Sequence, residues 1–260
     1  MENIPIIKDF DTYFLSLNFN IELAKIKTHH WYPIKNIIDI LVEFCENKKM
    51  KNILEIGPGK IHFPLANKFI GYNEKIKDYI EIDIDTTALP FEHKELDFIY
   101  SRHTLEDIQN PDFAMKEIIR TSKSGYIETP SPLIEILKGI DYNKNSECYG
   151  GYIHHRYIIW SNIEKCEIYI LPKYSNIIDN FLVINEKELK KLYCIANNYP
   201  IYWNNYFIWF EREPKIIVYK NGINMGVNRD LIEDYSLLIE DAINQSLFNT
   251  NYMIQMNLFI

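Results

Sequence analysis

The chain has 260 residues, 47% hydrophobic and 25% charged, enough apolar sequence to bury a sizeable core in one large α/β domain or two small ones. Its net charge is −8 and its one basic stretch, "ENKKMKN", falls where a helix is expected to end, so nucleic acid, which calls for a basic face, is not the expected partner. Cys45, Cys148, Cys166 and Cys194 lack C-x-x-C spacing, which argues against a disulfide framework and a structural zinc site. With no leader pattern and no apolar run of about 18 residues, the expected location is cytoplasmic, with no membrane partner.

The first element in chain order is a helix over 33–48, "PIKNIIDILVEFCENK". Pro33 suits its first position, and Ile37, Ile40, Leu41, Phe44 and Cys45 form one apolar stripe. "NILEIG" is a buried strand ended by glycine. "FPLANKFIG" reads as a helix closed by Gly71. "YIEIDID", 79–85, is then the second strand and "LDFIYS", 96–101, the third. A helix over "PDFAMKEIIRTSK" ends near Gly125, and "GYIETP" opens the fourth strand.

Past residue 131 the pattern changes. A long irregular connection runs to 156, followed by a hairpin over "RYIIWSNIEKCEIYILPK" and a helix over "EKELKKLYCIANN". Two strands come next, "YFIWFERE" and "PKIIVYKNG", and then an amphipathic helix over "NRDLIEDYSLLIEDAINQSLF". The aromatic run Tyr202, Trp203, Tyr206, Phe207, Trp209 and Phe210 reads as core. No repeat or low-complexity linker divides the chain. One domain is expected, with a helical lead-in over 1–50, a ligand-binding half over 51–130 and a substrate-side half over 131–260.

Strands alternating with helices imply an open, mostly parallel α/β sheet with helices on both faces. Right-handed crossovers then bring every strand's C-terminal end to one edge, where ligands of such sheets bind. The candidates at that edge are Glu55, Gly57 and Gly59, then Asp83 and Asp85, then Ser101 and His103, then Glu128 and Thr129. The loop "LEIGPGKIH" lacks the G-x-x-x-x-G-K-[ST] of a P-loop. It keeps two glycines of a dinucleotide loop but has His62 at the last position. Glu55 beside the loop would repel a pyrophosphate, whereas a cosubstrate carrying an ammonium and a sulfonium would welcome it. Asp83, some 20 or more positions on, suits a ribose diol.

"LEIGPG", "LPFEHKELDFIYS", "HTLEDI" and "KEIIRTSKSGYIETP" together resemble the type 11 group of class I S-adenosylmethionine-dependent methyltransferases, over residues 50–130. The resemblance implies a Rossmann-like open sheet with antiparallel C-terminal strands and, here, a hairpin insertion. It implies S-adenosyl-L-methionine as cosubstrate, held by Glu55, Gly57, Gly59, Asp83, Asp85 and Ser101. Two departures stand out. Ile61 replaces the third loop glycine, and the gap from Asp83 to Leu89 is too short for the helix and strand usual there, so either a βα unit is missing or Asp85 takes the adenine side.

Methyl transfer needs alignment and exclusion of water, and a base only where the acceptor must lose a proton. The resemblance puts His103 beside the cosubstrate, and "YGGYIHHRYIIW" adds His154 and His155 after a flexible Gly150–Gly151. These three histidines are the catalytic candidates. Neighbouring positions on a strand face opposite ways, so one of His154 and His155 is expected to face the cleft and the other away. Glu106, Glu128, Thr129 and Arg156 are the substrate-side candidates. Glu128 needs a cationic partner such as Arg102 or Arg156 if buried. Thr104 with Asp107 reads as a helix capping pair, His29–His30 as surface, and no metal site is expected. The expected function is transfer of a methyl group to an O or N nucleophile of an unidentified acceptor. The rivals are an inactive binding module that serves as a partner subunit and an NAD(P)-dependent oxidoreductase. A homodimer through the C-terminal region is the remaining expected partner.

Overall fold

The computed structural model describes residues 35–71, 79–141, 145–174, 178, 186–219 and 229–255. His29–His30 and most of the expected lead-in lie outside them. The chain order is α1 (Lys35–Asn47), β1 (Ile53–Ile56), β2 (Lys68–Gly71), β3 (Tyr79–Glu81), β4 (Phe98–Arg102), α2 (Pro111–Thr121), β5 (Ser124–Pro130) and the short α3 (Pro132–Ile136). It continues with β6 (Tyr157–Asn162), β7 (Glu167–Pro172), α4 (Glu186–Asn198), β8 (Asn204–Phe210), β9 (Lys215–Val218) and α5 (Arg229–Gln255).

Six strands form the main sheet in the order β3-β2-β1-β4-β5-β8, parallel except for β8, which runs antiparallel to β5. The chain leaves β1 toward β2 and β3 and returns on its other side as β4. The reversal of strand order therefore lies between β1 and β4, where open α/β sheets bind ligands. A second sheet, β6-β7-β9, holds the expected hairpin β6–β7 with β9 parallel to β7. The last two strands thus enter different sheets and do not pair with each other.

Side-chain alternation divides the core. Phe98, Tyr100 and Tyr126 pack with Ile37 and Leu41 of α1 and with Ile239 and Ile243 of α5. Ile99 and Ile127 face the other way, against Ala114, Met115 and Ile118 of α2 and Ile168 and Ile170 of β7. Helices cover both faces, as expected. The aromatic run is core: Tyr202, Tyr206, Phe207 and Trp209 are buried. Among the described residues no helix is long and apolar enough to cross a membrane.

One element differs from expectation. "FPLANKFIG" contains no helix; its last four residues are β2. Phe63, Leu65, Ala66, Phe69 and Ile70 mimic helical spacing, but Asn67 pins the segment to β1. The Asn67 N–H donates to the Ile53 carbonyl at 3.0 Å, and its side-chain oxygen accepts from the Ile53 N–H at 3.1 Å. The strand "YIEIDID" is consequently the third in the sheet and stops at Glu81. No strand is missing up to β5. What the described residues lack is a helix between β1 and β2, where 57–67 is built of bends and turns, and one between β3 and β4, where 82–97 holds turns, bends and a single bridge.

Candidate active site at the sheet edge

Glu55 lies on β1 one residue before its end, 2% exposed, and its Oε2 accepts from the Phe63 N–H at 3.1 Å. Burial raises its pKa to about 7, a rise that the Phe63 N–H partly offsets. Gly57 has φ +66°, and a Cβ there would meet Thr104 Oγ1 at 2.1 Å, so the glycine loop packs on the turn after β4. Around Gly59 the space is open, with nothing within 4 Å of an added Cβ. Ser101, in register with Ile56, is buried at the end of β4.

Asp83 does not take the expected place. The strand beside β1 is β2, which ends at Gly71, and residues 72–78 lie outside those described. Asp83 follows β3, one strand further out, and serves its own turn: Oδ1 accepts from the Asp85 N–H and Oδ2 from the Thr86 hydroxyl. Asp85 in turn accepts from the Asn110 N–H at 2.7 Å, fastening this turn to the start of α2.

The turn after β4 carries most of the ionisable groups. His103 has φ +49°, a left-handed conformation uncommon for a side-chain-bearing residue. Its Nδ1 stands 3.3 Å from Glu106 Oε1 and its Nε2 3.8 Å from Glu128 Oε1. Burial, with Arg102 nearby, lowers its pKa to about 3, so at neutral pH it is an uncharged imidazole and a weak base. Asp107 is not a helix cap, because α2 begins later with Asn110 capping the Phe113 N–H. Its Oδ1 lies 3.8 Å from Nε2 of His154 and 3.8 Å from Nε2 of His155. Residues 151–156 form a turn and not a strand, so both imidazoles converge on one carboxylate instead of facing apart. Gly150 and Gly151 are tight packing points, not flexible ones: a Cβ on Gly151 would stand 2.7 Å from Glu135 Cα.

Glu128 is 1% exposed and finds the predicted cation in Arg102, whose Nε–H donates to Oε1 at 2.8 Å. Tyr126 and Asn204 also donate to it, at 2.7 and 2.6 Å, so its role is to hold Arg102 and the ends of β4, β5 and β8 together. Thr129 is buried and bonded to the Ile159 carbonyl, and Arg156 is exposed, meeting the site through its N–H to the Glu106 carbonyl. Neither side chain joins the cluster. Glu135 and Lys173 do, and sequence reasoning missed both. His155 Nδ1 lies 2.6 Å from Glu135 Oε1, and Lys173 Nζ 2.5 Å from Glu135 Oε2. The available signal was a carboxylate in the apolar run "PLIEIL", an acid that must be paired if buried.

Glu106 and Glu135 show what pairing does. Each is 1% exposed. Burial lifts Glu106 to about 7, with only weaker opposition from His155. Burial also works on Glu135, but Lys173 and His155 hold it down to about 2.

Residues 55–127 match the Methyltransferase domain family. That stretch runs from the glycine loop to β5 and bears out the resemblance seen in the sequence. Chains of similar fold include the YcgJ protein of Bacillus subtilis, at 15% identity and TM-score 0.31, covering 38% of this chain and 52% of that one. An S-adenosylmethionine-dependent methyltransferase of Mesorhizobium loti is 18% identical with TM-score 0.28, covering 33% and 49%. Another, from Clostridium acetobutylicum, is 12% identical with TM-score 0.33, covering 46% and 60%. The chain spans about half the length of the first two. No curated protein matches it.

The family implies S-adenosylmethionine as cosubstrate. The buried carboxylate of Glu55 and the open cradle at Gly59 fit its cationic methionine end. Asp83, displaced by one strand, does not fit as the diol acceptor.

Proposed function

We propose that the chain transfers a methyl group from S-adenosylmethionine to an O or N nucleophile of an acceptor, whether a small molecule, a glycan or a protein. The observation that carries this reading is Glu55, a buried carboxylate at the end of β1 beside a glycine loop with no helix behind it. That niche favours a cation over a diphosphate. When bound, S-adenosylmethionine supplies an electrophilic methyl group. Glu55 holds the ammonium end, Gly57 and Gly59 let the backbone approach, and Ser101 closes the niche from β4. His103, Glu106, Asp107, His154 and His155 form the acceptor side, joined to the glycine loop through Thr104. Of these, Glu106 is the group poised to take a proton near neutral pH, while His103 contributes an uncharged imidazole.

A cytosolic location fits the four free cysteines. A homodimer through the C-terminal helix fits the half-exposed Leu237 and Phe248. The deciding measurement is calorimetric titration of the folded chain with S-adenosylmethionine, S-adenosylhomocysteine and NAD. Binding of the first two alone supports the reading. Binding of NAD alone would replace it with the oxidoreductase. Silence toward all three would favour the partner-subunit module.

A further inference from the structure

The ion pairs beside the β4 turn do not balance. Arg102 is bonded to Glu128 and Lys173 to Glu135, so both buried fixed cations are committed. Glu106 and Asp107 remain. Both carboxylate oxygens of Glu106 and Oδ1 of Asp107 are buried without a hydrogen-bond partner. Buried carboxylate oxygens without a donor are costly, and a cation placed beside them would relieve that cost.

Asp107, His154 and His155 each direct one ligand atom to a common point, all within 4.8 Å of one another. In a tetrahedral site with bonds of about 2.0–2.1 Å, donor atoms stand roughly 3.3 Å apart. Asp107 Oδ1 is 3.8 Å from each Nε2, and all three ligand atoms lie within 4.8 Å of one another, so the donors reach that spacing by a side-chain adjustment with no change of fold. His154 is half-exposed in a turn, with its ring edge-on to those of Tyr152 and His155. His155 is prepared for the same task. Its Nδ1 lies 2.6 Å from Glu135 Oε1, which puts Nε2 on the side of Asp107 as the ring's free coordinating atom once a metal displaces its proton, and Lys173 fixes Glu135 from behind. A carboxylate behind the imidazole is the usual support of a metal-bound histidine.

We propose that Asp107 Oδ1, His154 Nε2 and His155 Nε2 bind one divalent transition-metal ion of the zinc class, with the Glu106 carboxylate as the adjacent compensating charge. Two imidazoles among the donors select against magnesium and calcium, which prefer oxygen. Three protein ligands, drawn from the turn after β4 and the 151–156 turn, leave one position open to water or to a substrate oxygen.

The test uses no S-adenosylmethionine, so its failure would leave the methyl-transfer reading standing. Chelator-stripped protein is titrated with zinc by calorimetry and with cobalt by visible absorption. The expected result is one ion per chain, not displaced by a roughly hundredfold excess of magnesium or calcium. His154→Ala removes an exposed side chain, so the fold should survive by circular dichroism while affinity falls at least tenfold. Glu135→Gln should weaken binding by roughly 10–100-fold through the positioning of His155. The proposal is overturned if the folded chain binds no stoichiometric zinc, if His154→Ala leaves affinity unchanged, or if magnesium displaces the ion as readily as zinc does.

Discussion

If Glu55 holds the cosubstrate as proposed, its carboxylate makes binding depend on pH, with a sign that can be worked out. Its pKa in the folded chain is raised to about 7 from an ordinary 4.5, chiefly by burial. The folded state therefore binds more protons than the unfolded state between those two values. Glu55 contributes its stability below the unfolded pKa and loses it as pH rises through the folded one, about 3 kcal/mol in all. A ligand cation beside it favours the ionised form, so binding must release the proton. Below pH 7 affinity should fall by up to tenfold per pH unit, which is roughly fifteenfold between about pH 7 and 5.5. The ligand's own amino group, with a pKa near 7.7–8.0, stays charged throughout that range. Calorimetry with S-adenosylhomocysteine near pH 6, in two buffers of different ionisation enthalpy, should report release of about 0.9 proton per ligand. Glu55→Gln should bind more weakly at pH 7, lose the proton release, and unfold at a higher temperature than the parent above pH 7. If the parent binds with the same affinity from pH 5.5 to 7, Glu55 does not face the ligand and the electrostatic argument fails.

The two loop glycines should separate fold from ligand. Gly57→Ala forces a Cβ into Thr104 in a left-handed backbone and should cost about 2–4 kcal/mol in denaturant unfolding, part of it recovered by adding Thr104→Ala. Gly59→Ala meets nothing and should leave unfolding unchanged, yet weaken S-adenosylhomocysteine because the methyl group occupies its cradle; equal affinity would move the ligand elsewhere. Asp83→Ala should cost the turn about 1 kcal/mol and change cosubstrate affinity less than about fivefold; complete loss of binding would restore it as a ribose anchor. Glu128→Ala strands the Arg102 guanidinium in the interior and should destabilise by about 3–5 kcal/mol, with Glu128→Gln costing clearly less; equal small losses would show that the pair is solvated.

The sheet was largely legible because its strands are short apolar runs closed by turn residues. β1, β4 and β5 fall where "NILEIG", "LDFIYS" and "GYIETP" place them. β2 was not legible, since a four-residue strand preceded by Phe63, Leu65 and Ala66 carries a helical apolar spacing. What decides it is Asn67 bridging to Ile53, a contact between segments rather than a local preference. That single misreading carried Asp83 to the wrong strand. The glycine turn at the end of β1 and the place of Glu55 on that strand were readable because their signals are local. The proposed acceptor side was readable only in its ingredients. His154 and His155 were noticed, but their convergence depends on a turn held against Glu135 by two close-packed glycines. Their common partner Asp107 had a plausible local role as a cap. Residues 103–107, 135, 154–155 and 173 meet through the fold alone.

The missing helix sharpens the choice of ligand. In a dinucleotide fold the first glycine loop delivers a helix N-terminus, whose free N–H groups and dipole receive the pyrophosphate. Here the 57–67 connection has no helix. The loop is fixed by other means: the Gly57 N–H donates to the Ile70 carbonyl at 2.8 Å, the Phe63 N–H donates to Glu55, and Thr104 fills the space beside Gly57. Of the N–H groups a phosphate would seek, these two are turned to internal acceptors, one of them the carboxylate itself. The edge between β1 and β4 thus keeps the backbone approach that glycine permits and loses the positive end of a dipole. What remains at this edge is a buried carboxylate with His62 Nδ1 3.6 Å from it, and on the reading proposed above it suits a ligand that carries positive charge where a dinucleotide carries negative.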